Sequence, residues 1–211
     1  MHIRYPNGVE AAGEVLEMVS PERFVFTFGY LSGKMIPIGA SRVTILLEAQ
    51  QTGTILHLGH EFAEVAVRDQ HVQGWRFQLS LFANVVANEV HSAAASLVDG
   101  WFALWSVADE KARAETLARL ATPGVRFRDA YSLLEGAADL TAHITASQRF
   151  MPGLRFERKG EIRHCQGTVL ADWVALTSDS DQRASGTNVF VLGMEGRIAS
   201  VTGFWNQLAE R

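Results

Sequence analysis

Apolar and polar residues alternate with a period of two in three stretches near the start of the chain. Phe24, Phe26 and Phe28 flank Val25 and Thr27; Val43, Ile45 and Leu47 flank Thr44 and Leu46; Leu56 and Leu58 flank His57 and Gly59. This period predicts strands. Turn residues fall between them at Asn7-Gly8, Ser20-Pro21-Glu22 and Gln51-Thr52-Gly53, with a longer loop around Gly33, Pro37 and Gly39. Connections this short predict an antiparallel meander. From His71 the spacing changes. Trp75, Leu79, Phe82 and Val86 recur at helical intervals and predict one long helix. The small, polar run His91 to Ser96 then suggests a boundary, giving domains 1–91 and 92–211.

The second part begins with helices. Leu97, Trp101, Leu104 and Trp105 form one apolar face, Asp109 is placed to cap a helix ending before Pro123, and Ala137 to Arg149 reads as a further helix between Gly136 and Pro152-Gly153. Strands are predicted at Leu154 to Cys165, Thr168 to Leu176, Thr187 to Leu192 and Arg197 to Trp205, with turns at Ser178 to Asp181 and Met194 to Arg197. The fold class is therefore α+β, a partial antiparallel sheet with a long helix followed by helices and a curved antiparallel sheet.

Composition narrows the function classes. The chain has 211 residues, 47% hydrophobic and 20% charged, enough for two small cores. Its formal net charge of −4 and lack of a basic cluster argue against nucleic acid as a partner. Cys165 is the single cysteine, so no intrachain disulfide is expected. Met1 to Pro6 lacks the apolar run of a signal peptide and no stretch reaches membrane-span length, which leads to the expectation of a cytoplasmic protein that does not engage a membrane. No phosphate-cradling loop and no nucleophile elbow occur, and no cofactor is expected. Metal ligation is not expected either. His57 and His60 face opposite sides of a strand, and His164 and Cys165 diverge.

Residues 97 to 205 resemble the SnoaL-like polyketide cyclase branch of the nuclear-transport-factor-like superfamily. The resemblance is carried by the aromatic helix with Trp105 and Asp109, by Val125-Arg126-Phe127-Arg128-Asp129, by Leu134-Glu135-Gly136, by Pro152-Gly153-Leu154, by Trp173, by Gly186 to Phe190, and by Val201-Thr202-Gly203-Phe204-Trp205. It implies a sheet wrapped around helices to form a conical pocket. Residues 8 to 88 resemble the C-terminal part of helix-grip (SRPBCC) domains related to heat-shock ATPase activators. Here the carriers are Gly13-Glu14-Val15, Pro21-Glu22-Arg23-Phe24, Gly39 to Thr44, Gly53-Thr54 with Leu56, Leu58 and His60, and Gly74-Trp75 opening the long helix. Such domains ordinarily start with an edge strand, two short helices and another strand. Because none of these precedes Met1, the expectation is a half that lacks the roof of its cavity.

Candidate site residues follow from the cone. In the cyclases a carboxylate on a central strand is the general base, and the matching position here is Asn188, whose amide can hydrogen-bond a carbonyl but takes no proton at neutral pH. Asp129, at the pocket mouth, and His143, on the helix stripe Leu140, His143, Ile144, Ser147, are the candidate acid/base groups; a turn-capping carboxylate and a buried, hydrogen-bonded histidine are the alternatives. Trp105, Tyr131, Phe150, Trp173 and Trp205 are candidate apolar lining beside Asn188, or ordinary core. Asp172, alternating with Trp173, points to the other face. Three functions are open: binding of an apolar or oxygenated small molecule in the cone, isomerase, cyclase or hydrolase chemistry through Asp129 or His143, and a protein-interaction role. A homodimer is expected, because an open apolar sheet edge in the first half seeks a partner.

Overall fold

A computed structural model describes residues 1–51 and 53–206. Their backbone divides into two compact units, Met1–Leu81 and Phe82–Arg211, each with its own sheet. The division falls inside a helix, ten residues before the boundary the sequence suggests at its far end.

The first unit holds β1 (His2–Arg4), β2 (Glu10–Ala12), β3 (Val15–Val19), β4 (Arg23–Tyr30), β5 (Ser41–Gln50) and β6 (Gly53–Glu61), in the order β1-β2-β4-β5-β6 with β3 also paired to β4. All these pairings are antiparallel. The expected turn at Gln51-Thr52-Gly53 joins β5 and β6, with Thr52 itself outside the described residues. Two short strands precede those legible from alternation. Asn7-Gly8 closes their hairpin, with Gly8 at φ 81° and the Asn7 side chain accepting from the Val9 amide at 3.1 Å. Register puts Phe24, Phe26 and Phe28 of β4 opposite Ile45, Val43 and Ser41 of β5, and His60 of β6 opposite Val43, so these side chains share one face. The helix α1 (Val65–Val90) starts six residues before His71. It has no fully buried residue, but Val67 and Trp75 pack on the small core of Ala11, Phe26, Phe28, Ile36 and Val43.

The second unit contains α2 (Ala94–Leu104), α3 (Glu110–Leu120), β7 (Ala121–Arg128), β8 (Leu133–Glu135), α4 (Ala137–Phe150), β9 (Arg155–Cys165), β10 (Thr168–Leu176), β11 (Gln182–Leu192) and β12 (Ile198–Trp205). The Asp109 carboxylate caps α3, accepting from the Ala112 amide at 2.7 Å. The sheet order is β8-β7-β12-β11-β10-β9. The four strands expected from sequence, β9 to β12, pair antiparallel; β7, not counted among them, runs parallel to β12 because the intervening chain crosses the sheet before returning beside β7. Alternation is strict in β10, where Val169, Ala171, Trp173 and Ala175 are buried. They join Trp101, Leu104, Phe190 and Ile198 in a far larger core than that of the first unit. Among the described residues no helix is long and apolar enough to cross a membrane.

Candidate functional site

A large cavity among the described residues lies in the first unit, where the sequence had led to the expectation of an unroofed half. It measures about 640 Å³, inside the range of about 300–1,000 Å³ typical of small-molecule sites. The N-terminal hairpin supplies one wall with Ile3, Tyr5 and Val9, β4 supplies Phe26, Phe28 and Tyr30, β6 supplies His60, and α1 closes the space with His71, Gly74, Trp75 and Gln78.

Two hydrogen-bonded chains fix the polar groups of this cavity. The Trp75 indole N–H donates to His60 Nδ1 at 2.9 Å, so that nitrogen carries no proton. The proton of neutral His60 then sits on Nε2, which donates to Ser41 Oγ at 2.8 Å, and the Ser41 hydroxyl donates to the Phe28 carbonyl at 2.8 Å. Protonating His60 would set one N–H against another. Burial, helped by the nearby His71 ring, pushes the His60 imidazole down to about 4. In the second chain His71 Nδ1 lies 2.7 Å from the Val67 carbonyl and must donate to it. Across the ring, His71 Nε2 is hydrogen-bonded with the Tyr30 hydroxyl at 3.0 Å. Burial raises the Tyr30 phenol above its ordinary range and, with Tyr30 adding to the effect, raises that of Tyr5 as well. The interior thus offers aromatic surface and neutral hydrogen-bonding groups.

The cone of the second unit is nearly full. Its free space is about 60 Å³, room for a few waters. The Trp173 indole donates to Asn188 Oδ1 at 2.9 Å, and the Trp205 indole donates to Asp129 Oδ2 at 3.1 Å. The two tryptophans meet edge to face with centroids 4.9 Å apart. Trp173 lies so close across Gly186 that a Cβ there would sit 2.4 Å from its ring. Of the residues singled out from sequence, Trp105, Asp129, Trp173, Asn188 and Trp205 come together around this space, and His143, Tyr131 and Phe150 do not. The other Asp129 oxygen accepts from the Tyr131 amide at 2.9 Å in a turn. His143 lies 3.3 Å from the Ser132 hydroxyl and beside the rings of Trp105 and Phe127. Tyr131 is 78% exposed and Phe150 is 85% exposed. Asp172 lies on the opposite face from the buried Trp173, accepting from the Thr187 hydroxyl at 2.6 Å.

Sequence reasoning missed Tyr5, Tyr30, His71 and Ser41. One signal was available: Phe26, Phe28 and Tyr30 share a strand face, and His71 and Trp75 stand four apart on a helix.

Residues 2–87 match the family described as Activator of Hsp90 ATPase homolog 1-like protein. A SnoaL-like family protein from Agrobacterium tumefaciens, carrying a provisional isomerase name, is 27% identical, with 56% of this chain and 99% of that one covered at a TM-score of 0.52. The 81 residues of the first unit cannot supply that share alone. The chain resembles one family in its first part and another in its second. Weaker likenesses include a SnoaL-like protein of unknown function from Burkholderia thailandensis (14% identity, 55% of this chain and 97% of that one covered, TM-score 0.44). Another is a provisionally named polyketide cyclase from Sinorhizobium meliloti (17% identity, 51% and 93% covered, TM-score 0.42). Among curated proteins nothing matches. The part resembling the activator-like family carries the aromatic-walled cavity of about 640 Å³, and the other part carries the larger packed core.

Proposed function

We propose that the activator-like unit binds a small, mainly apolar molecule in its cavity. The observation that carries this reading is the contrast between about 640 Å³ of aromatic-walled space there and about 60 Å³ in the cone. The phenols of Tyr5 and Tyr30 at this cavity suit a ligand with one or two hydrogen-bonding atoms on an apolar body. The test uses N-phenyl-1-naphthylamine, a neutral dye that brightens in apolar surroundings. Gly74 lines the cavity, and a Cβ built on it meets nothing within 4 Å. Gly74→Phe therefore fills the site while replacing a poor helix former. Saturable binding to the wild type and at least tenfold weaker binding to Gly74→Phe are expected. Equal binding to both proteins would overturn the reading.

A second reading keeps the cone as the site, as its isomerase-named relative suggests. Asp129 and Asn188 both border the small free space there. Asn188 Nδ2 has no hydrogen-bond partner among the described residues and is free to donate to a ligand carbonyl. Chemistry in the cone requires Trp173 or Trp205 to swing aside, because the space as it stands excludes any substrate larger than water clusters.

The chain is also read as a homodimer. Strand β3 exposes Val15, Leu16, Met18 and Val19, an apolar edge of the kind that pairs with its own copy. Light scattering at micromolar concentration should give twice the 23.2 kDa chain mass, and a stable monomer would refute it.

A further inference from the structure

The lining of the first cavity contains no aspartate or glutamate and a single lysine or arginine, Lys34. Lys34 is one of only three lysines in a chain whose net charge is −4. It makes no ion pair among the described residues. Its loop is nevertheless tied down. The Tyr30 amide donates to the Ile36 carbonyl at 2.8 Å, the Gly33 amide to the Tyr30 carbonyl at 2.9 Å, and the Lys34 amide to the Ser32 hydroxyl at 3.3 Å. Ile36 is 4% exposed and anchors the loop in the core. The loop folds back so tightly that a Cβ on Gly29 would lie 2.1 Å from the Pro37 carbonyl oxygen. The backbone that carries Lys34 is thus fixed beside an apolar cavity whose interior titratable groups His60, Tyr5 and Tyr30 stay neutral at pH 7.

We infer that Lys34 is a specificity-determining anchor and that the cavity selects anionic amphiphiles, molecules with an apolar, aromatic-sized body and one carboxylate or sulfonate head. The body lies among Phe26, Phe28 and Trp75, and the head meets the Lys34 ammonium at the rim, where water still solvates both charges. A cationic head would meet like charge at the rim, and a neutral one gains nothing from it.

This rests on the cavity being the binding site, and the test separates the two. The probes are N-phenyl-1-naphthylamine and 8-anilino-1-naphthalenesulfonate, which share one apolar body and differ by the sulfonate. Only signal abolished by Gly74→Phe is counted. In the wild type the sulfonate should bind at least threefold tighter than the neutral dye, and raising the salt from 20 to 500 mM, concentrations of roughly low and high screening, should erase the difference. Lys34→Met should weaken the sulfonate at least threefold and leave the neutral dye within a factor of two, and Lys34→Arg should restore the preference. If Lys34→Met leaves sulfonate binding unchanged, or weakens both dyes alike, the anchor is refuted while the cavity reading stands. If neither dye gives a signal sensitive to Gly74→Phe, the cavity reading itself fails.

Discussion

In the second unit, Trp101, Phe102 and Leu104 of α2 and Leu140 and Ile144 of α4 are buried together with the inward residues of a six-stranded sheet. In the first unit a sheet of equal strand number is met only by part of α1, with Val67 and Trp75 in contact and no residue of the helix fully buried. Aromatic density is high in both places, yet the outcome differs. Rings that interlock edge to face, as Trp173 does with Trp205 and Trp101 with Phe190, consume the space between sheet and helix. Rings presented from one side, such as Phe26, Phe28 and Tyr30 from β4, leave it open. An aromatic count does not separate a pocket from a core; what matters is whether a second layer supplies partners for each ring.

The sharpest way to break this contrast is to truncate a cone aromatic. Trp101 is 1% exposed, and Trp101→Ala should cost about 3–5 kcal/mol in urea denaturation, as expected for a large side chain removed from a packed core. A cost near zero would mean the cone is loosely filled and open to a ligand. Next in size is Asn188→Leu. It removes the acceptor of the Trp173 indole inside the cone and should cost about 1–3 kcal/mol, while dye affinity in the first unit is unchanged. If that affinity falls tenfold, the binding site has been assigned to the wrong unit.

A smaller effect comes from pH. The folded His60 imidazole sits at about 4, against about 6.5 when unperturbed. Below 6.5 the unfolded chain therefore takes up a proton that the folded unit refuses, so His60's contribution to stability is fully present above pH 6.5 and is lost progressively toward pH 4. Hydrogen exchange of the Trp75 indole N–H should accelerate over that window. His60→Gln keeps an acceptor for Trp75 and a donor for Ser41, and should flatten the dependence. An unchanged pH profile in His60→Gln would assign the effect to another group.

Much of the fold was legible because it rests on local rules. Thr168 to Leu176 reads as a strand from alternation alone and is one, and Asp109 reads as a cap and caps α3. The hairpin of residues 2–12 was legible only at its Asn7-Gly8 turn, since two three-residue strands carry too little alternation to register. The parallel seam of β7 with β12 is a matter of crossover, which no local pattern encodes. Within the candidate sites, Asp129, Asn188, Trp173 and Trp205 were legible as a group, because the family order of strands brings them to one place. Whether that place is empty was not legible, because it depends on how Trp173 lies over Gly186. The first cavity draws on four segments far apart in the chain, and its His60-to-Trp75 and Tyr30-to-His71 pairings appear only once register and helix placement are fixed.

The two units can be tested against each other in a single spectrum. Of the five tryptophans, Trp75 alone lies in the first unit, and Trp173 and Trp205 point their indole N–H groups at the cone residues Asn188 and Asp129. In a ¹⁵N–¹H spectrum the indole signals report separately, with Trp75→Phe assigning the first. Titration with N-phenyl-1-naphthylamine should move the Trp75 signal and leave those of Trp173 and Trp205 in place. Movement of the Trp173 and Trp205 signals with Trp75 unmoved would contradict the account and return the ligand to the cone.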